Sequence, residues 1–283
     1  MPLDPTGVLG HEFEPVRQHV TPRDCMFYAL SVGVGSDPVD PAALAFTYER
    51  DLRALATQAS VIGHPGDWIA MLNCGITRSM VLHAGTRIRL LRALPTSATV
   101  IGLNRVIDLA DKGERGAIIV IERRIIDEGT GEALAVLESS TFCRGDGGFG
   151  GKPELDYQYE PNPDRPPDLT VETLTRQDAA LIYRLNGDMN PLHADPVFAQ
   201  RAGFERPILH GLCTYGATAW AILRTLGAHN NFTAFQARFS KPVMPGEALS
   251  VDIWKFANDA VAFRARVGDR LVLDRGQAAM GLG

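Results

Sequence analysis

The chain has 283 residues, room for one large core or two of ordinary size, and its 45% hydrophobic and 22% charged residues suit a folded protein rather than a disordered one. A formal net charge of -5 with scattered basic residues argues against a general nucleic-acid or anionic-membrane surface, while leaving room for a local phosphate pocket. The four cysteines (Cys25, Cys74, Cys143, Cys213) lack the short spacing of a zinc site.

The opening Met1-Pro2-Leu3-Asp4-Pro5 has neither the basic nor the apolar region of a secretory signal. No apolar run approaches the ~18 residues that would span a membrane. The final Met280-Gly281-Leu282-Gly283 is not a peroxisomal address. A reduced, cytoplasmic location without membrane partners is the expectation.

Residues 21–34 and 175–188 resemble each other at an offset of 154, with Thr21 on Thr175, Asp24 on Asp178 and Gly33 on Gly187. Both segments open with an N-cap residue before a short amphipathic helix and close on a helix-stopping glycine. The stretch 42–59 has helical composition. Residues 98–109, 117–126 and 133–143 are then rich in Val, Ile and Thr, with breaks at Asp111-Lys112-Gly113 and Asp127–Gly131, the pattern of successive hairpins.

Residues 144–167 are rich in Gly and Pro. Asp146 and Pro153 stand where a phosphate loop needs Gly and Ser or Thr, so this is a linker. It divides the chain into an N-terminal unit (1–150), a linker (151–167) and a C-terminal unit (168–283). In the last unit, 211–227 is apolar nearly all round, as a buried helix is. Four strand-like runs follow, 233–243, 248–256, 260–267 and 270–279, with turns at Pro245-Gly246, Asn258-Asp259 and Gly268-Asp269. The predicted fold is α+β, a long helix wrapped by an antiparallel sheet, twice over.

Chemistry concentrates in Leu185-Asn186-Gly187-Asp188-Met189-Asn190-Pro191-Leu192-His193 and in Leu209-His210-Gly211. Gly187 and Pro191 favour an irregular turn, which can bring Asp188 and His193 to one mouth. A carboxylate beside an imidazole moves protons near neutral pH. Asn190 can fix an oxygen atom. The Gly211 N–H, at a helix N-terminus, can serve a developing oxyanion. No serine or cysteine adjoins either histidine, so water is the natural nucleophile. Blander readings stand beside this one: an Asx-turn at Asp188, a buried structural His210, a structural His83, or a two-histidine, one-carboxylate iron site.

The run Tyr183-x-Leu185-x-Gly187-Asp188-x-Asn190-Pro191-Leu192-His193, with Ala202-Gly203-Phe204 and Ile208-Leu209-His210-Gly211-Leu212, closely resembles MaoC-like, R-specific (type 2) enoyl-CoA hydratases. Val81-Leu82-His83, Asp111-Lys112-Gly113, Gly147–Gly151 and Ala237-Arg238-Phe239-x-Lys241-Pro242-Val243 resemble the two-domain members, including the hydratase part of the eukaryotic peroxisomal multifunctional enzyme. The likeness runs from about residue 10 to 280.

It implies a double hotdog fold with two long helices, and catalysis in the second half. The first half would have lost catalysis and opened into a channel for bulky acyl chains; at the offset of 154, Val34 and Val39 stand where Asp188 and His193 do. Asp188 and His193 would be the catalytic pair, with Asn190 orienting and the Gly211 N–H binding the thioester carbonyl. His83, Ala84, Lys112, Met189, Pro191, Leu192, His210 and Phe239 would hold the CoA thioester. Ala84 departs from the glycine expected after His83. The implied reaction is reversible hydration of a trans-2-enoyl-CoA to an (R)-3-hydroxyacyl-CoA in fatty-acid or related metabolism. It needs no metal and no cofactor beyond the CoA of the substrate, and a homodimer is expected. A hotdog thioesterase and a non-catalytic acyl-CoA-binding protein are the rival readings.

Overall fold

The computed structural model describes residues 3–227, 231–257 and 259–282; Met1, Pro2, Asn258 and Gly283, which enter the sequence reading, lie outside them. The first half supplies strands β1 (Val16–Val20), β2 (Val81–Leu90), β3 (Ala98–Asp111), β4 (Ala117–Asp127) and β5 (Ala133–Cys143). The second supplies β6 (Leu169–Leu174), β7 (Asn231–Phe239), β8 (Ala248–Lys255), β9 (Ala260–Val267) and β10 (Arg270–Leu282). They form one ten-stranded sheet in the order β1-β3-β4-β5-β2-β7-β10-β9-β8-β6. From the centre outward the order is β2-β5-β4-β3-β1 on one side and β7-β10-β9-β8-β6 on the other. The repeat glimpsed at the offset of 154 is therefore a repeat of topology. Antiparallel pairing of β2 with β7, from Gly85–Arg238 to Arg89–Ala234, joins the halves. The predicted hairpins hold their places. The edge strands β1 and β6 escaped notice because they are only five and six residues long.

Among the described residues six α-helices accompany the sheet: α1 (Pro22–Ser31), α2 (Pro41–Thr47), α3 (Trp68–Leu72), α4 (Ala179–Tyr183), α5 (Pro196–Arg201) and α6 (Gly211–Leu226). Thr21 caps α1 in a reciprocal box with Asp24. Thr175 does not repeat this: its hydroxyl donates to Glu247 O and accepts from Gly246 N–H, so α4 begins later, after Asp178. The helix α6 is the core of the second half, buried from Cys213 through Leu223. Gly216 lets it approach α1, since a Cβ there would lie 2.6 Å from Val32 Cγ1.

This is the double hotdog architecture of the α+β class, with one correction. Among the described residues only the second half has a long central helix. The expected helix over 42–59 ends at Thr47; Asp51 turns with φ 54°, and a 3₁₀ turn at Ala56–Val61 follows. The offset of 154 puts the counterpart of α6 at 57–72. There Gly63 and Gly66 take positive φ, and Pro65 supplies no N–H, so the helix breaks. The core also draws this segment in as irregular chain, burying Leu55, Ala56 and Ala59.

The linker is irregular but bound along the sheet rather than loose. Lys152 O accepts from Asp111 N–H, Asp156 N–H donates to Asp108, and Tyr157 bonds Gln236.

Candidate active site

The turn after α4 has the form its glycine and proline demand. Gly187 takes φ 118°, and Pro191 opens a 3₁₀ turn, Pro191–His193. Asp188 Oδ1 accepts from Asn190 N–H at 3.2 Å, and Asn190 Oδ1 accepts from Leu192 N–H at 3.0 Å. The Asx-turn reading of Asp188 is thus correct as local structure. The same turn brings the exposed Asp188 close to the buried His193.

His193 Nδ1 donates to Ile208 O at 2.9 Å, so a neutral ring keeps its lone pair on Nε2. Burial lowers its pKa, opposed by the Ile208 bond and by the Asp188 charge. His210 is 1% exposed and stacks on His193, with ring centroids 3.7 Å apart and planes at 26°. Its Nε2 donates to Asp188 O at 3.2 Å, tying the end of one loop to the other. Burial, and then the adjacent His193, depress its pKa. Both rings are therefore neutral at pH 7.

The candidate ligand atoms of Asp188, His193 and His210 lie within 4.8 Å of one another. Each ring already donates one N–H to a carbonyl, and the other nitrogen of His210, Nδ1, is buried with no partner among the described residues.

Gly211 begins α6, and neither a capping side chain nor a backbone carbonyl accepts its N–H. A Cβ at Gly211 would meet the Phe239 ring at 3.1 Å, so glycine is needed for this approach. Phe239, at the end of β7, lies 4.6 Å from the His83 ring on β2, and the pairing of these strands delivers both to the site. His83 Nε2 lies 3.1 Å from Gly85 O and 2.8 Å from Thr86 Oγ1. Burial brings its pKa down to about 4.

Ala84 stands at a register shift, a bulge between His83 and Gly85, and its φ is not positive. Alanine therefore fits there. The glycine that cannot change is Gly85, where a Cβ would lie 2.6 Å from Tyr159 Oη. Lys112 closes β3 and pairs with Glu154 of the linker at 2.9 Å. Met189 and Pro191 are exposed and Leu192 half-buried around the mouth.

Two further groups facing this space were missed in the sequence. His64 lies in the broken-helix segment; it is exposed, lines a small recess with Trp68 and Arg123, and feels the charges of Arg123, Asp188 and His83. Arg123 is 5% exposed, and burial alone lowers its pKa to about 10. The signal was a cation among Ile119, Ile121 and Ile125, the inward positions of a period-2 strand.

Residues 158–273 match the family described as MaoC like domain, and residues 19–145 match MFE-2 hydratase 2 N-terminal domain. The chain is 41% identical over 290 residues to 3-hydroxyacyl-thioester dehydratase Y of Mycobacterium tuberculosis, covering 98% of each chain. It is 38% identical over 269 residues to Enoyl-CoA hydratase ChsH3 of the same organism, covering 93% of each. Among solved structures, a MaoC-like dehydratase from Phytophthora Capsici superposes with a TM-score of 0.84 at 28% identity, covering 97% of this chain and 96% of that one.

Proposed function

The chain belongs to the two-domain MaoC-like hydratase 2 family, and from that premise and the geometry above we propose that it adds water reversibly to trans-2-enoyl-CoA, giving (R)-3-hydroxyacyl-CoA. The observation that carries this reading is the meeting of three groups: an exposed carboxylate, an imidazole whose free lone pair is on Nε2, and an unpaired helix N-terminal N–H.

The Gly211 N–H accepts the charge that develops on the thioester oxygen, an interaction worth roughly 2.7–4 kcal/mol in comparable sites. Asp188 and His193 Nε2 share one water at C3. One removes its proton while the other delivers a proton to C2, so the added atoms are those of water. His210 is too buried to grip substrate; we read it as a positioning residue that holds Asp188 O and backs the His193 ring. Asn190 shapes the turn with its Oδ1, which leaves its amide N–H₂ for the substrate side. His83, Phe239 and Lys112 line the CoA path. The first half, lacking acid and imidazole at the matching positions, accommodates the acyl chain. The four free cysteines fit a reducing compartment, and we place the reaction in acyl-CoA metabolism of the β-oxidation type.

The test is hydration of crotonyl-CoA, followed by loss of the conjugated enoyl absorbance, with the product's chirality determined. Unchanged absorbance would remove the hydratase reading in favour of a binding protein. Release of free CoA, seen with a thiol reagent, would favour a thioesterase.

A further inference from the structure

In the linker, Leu155, Tyr157 and Tyr159 are half-buried, while Glu154, Asp156, Gln158 and Glu160 are exposed. This is the alternation of extended chain, laid across the outer face of the sheet rather than along an edge. The Arg87 guanidinium of β2 sits 3.3 Å from the centre of the Tyr157 ring, and the Tyr157 hydroxyl accepts from Gln236 Nε2 of β7 at 2.7 Å. Tyr159 O accepts from Arg275 Nη1 at 2.8 Å. Asn162 then donates to Phe263 O at 2.8 Å and accepts from Arg275 N–H at 2.9 Å. The segment is fitted to one place on the sheet.

That place is the back of the β2 bulge. Strict alternation would put His83 on the outer face with Gly85 and Arg87. The extra residue at Ala84 reverses this: Thr141 stands opposite His83 and Ser140 opposite Gly85. The imidazole therefore turns to the inner face, where Nε2 lies 2.8 Å from Thr86 Oγ1 and the ring lies 4.6 Å from that of Phe239. Ala84 has no partner on β5, so the ladder by itself does not hold the kink. Two contacts from the outer face do. Tyr159 Oη abuts Gly85 so closely that a Cβ there would lie 2.6 Å away, and Ser140 Oγ donates to Gly85 O at 3.2 Å. The same carbonyl lies 3.1 Å from His83 Nε2. Gly85 is gripped by the linker on one side and by the imidazole on the other.

We propose that Tyr159 is a positioning residue of the active site, pinning the β2 bulge from the outer face and so holding His83 against Phe239, the ring that lies over Gly211. This rests on the acyl-CoA reading above, in which His83 and Phe239 line the path of the thioester.

The test compares variants at 159 by two readouts. Tyr159→Ala should lower kcat/KM for crotonyl-CoA about tenfold, and Tyr159→Phe, which keeps the ring, should restore most of it. In a His83→Gln background Tyr159→Ala should add no further loss. The second readout needs no ligand: the His83 imidazole NMR signal, identified by its absence in His83→Gln, should move in Tyr159→Ala and hold its place in Tyr159→Phe. Because Tyr159→Ala can loosen the whole linker, Tyr159→Leu, which fills the position but stops short of Gly85, should act in the same direction. A His83 signal unmoved by both the alanine and leucine variants overturns the proposal. So do losses that simply add to that of His83→Gln, since Tyr159 would then only stabilise the fold. If the wild type leaves crotonyl-CoA unhydrated, the reaction assigned above falls, and the His83 signal alone decides the role of Tyr159.

Discussion

In the second half the inner face of the sheet carries Phe235, Val251, Ile253, Phe263 and Ala265, all in the core formed with α6. In the first half the corresponding face carries Arg123, Ser139 and Thr141, and the segment that would cover it breaks at Gly63, Pro65 and Gly66. The strand order is the same in both halves. One sheet plan thus supports two inner surfaces, and the length of the helix decides which. A continuous helix buries its apolar face and leaves the Gly211 N–H unpaired at its N-terminus. A broken one opens a cleft whose polar walls can face solvent or substrate at little cost.

The largest expected effect breaks the chemical asymmetry. Asp188→Asn keeps the turn, because asparagine also accepts the Asn190 N–H, and His193→Asn can keep the donor to Ile208 O. Each should lower kcat for crotonyl-CoA by about 10²–10⁴-fold with the melting curve preserved. A rate within a few-fold of wild type for either variant would mean that the pair is only a turn.

Gly211→Ala places a methyl 3.1 Å from the Phe239 ring and must shift either the ring or the helix start. We expect about a tenfold loss in kcat/KM from the displaced carbonyl site. Unchanged steady-state kinetics would show that the N–H there is not used.

A third variant asks whether the broken helix is held firmly. Gly63 has φ 63°, and a Cβ there would lie 2.8 Å from Gly102 Cα. Gly63→Ala should cost about 2 kcal/mol in denaturant unfolding. A neutral result would mean that the segment can move away from β3.

The smallest effect concerns protons. His210 and His193 have folded pKa values below the ordinary 6.5, so below that pH the unfolded chain binds more protons than the folded one. Stability is therefore complete above pH 6.5 and falls as the pH drops toward the depressed folded values. The loss is about 1.4 kcal/mol per unit for a fully buried ring such as His210. Melting temperatures measured from pH 7 downward should fall less in His210→Asn than in wild type. Parallel curves would place the titration elsewhere.

Sequence alone determined the site turn, because Gly-Asp-x-Asn-Pro-x-His fixes local backbone and chemistry within a few residues. It determined the seven strands β3, β4, β5, β7, β8, β9 and β10 with bounds within a few residues, because alternation and turn residues are local signals. It also determined α6, whose run of small and apolar residues has no exposed face. Four things had to wait for the tertiary structure. The joining of β2 to β7 brings His83 to Phe239 across 156 positions of chain. The break in the first central helix lay in plain view at Gly63-His64-Pro65-Gly66, but only the equivalence with α6 gives it meaning. The role of His210 depends on its burial against His193. The inward placing of Arg123, Ser139 and Thr141 depends on strand register. In each case the physical reason is the same: these contacts form between residues whose proximity is set by sheet pairing and packing, which no local pattern encodes.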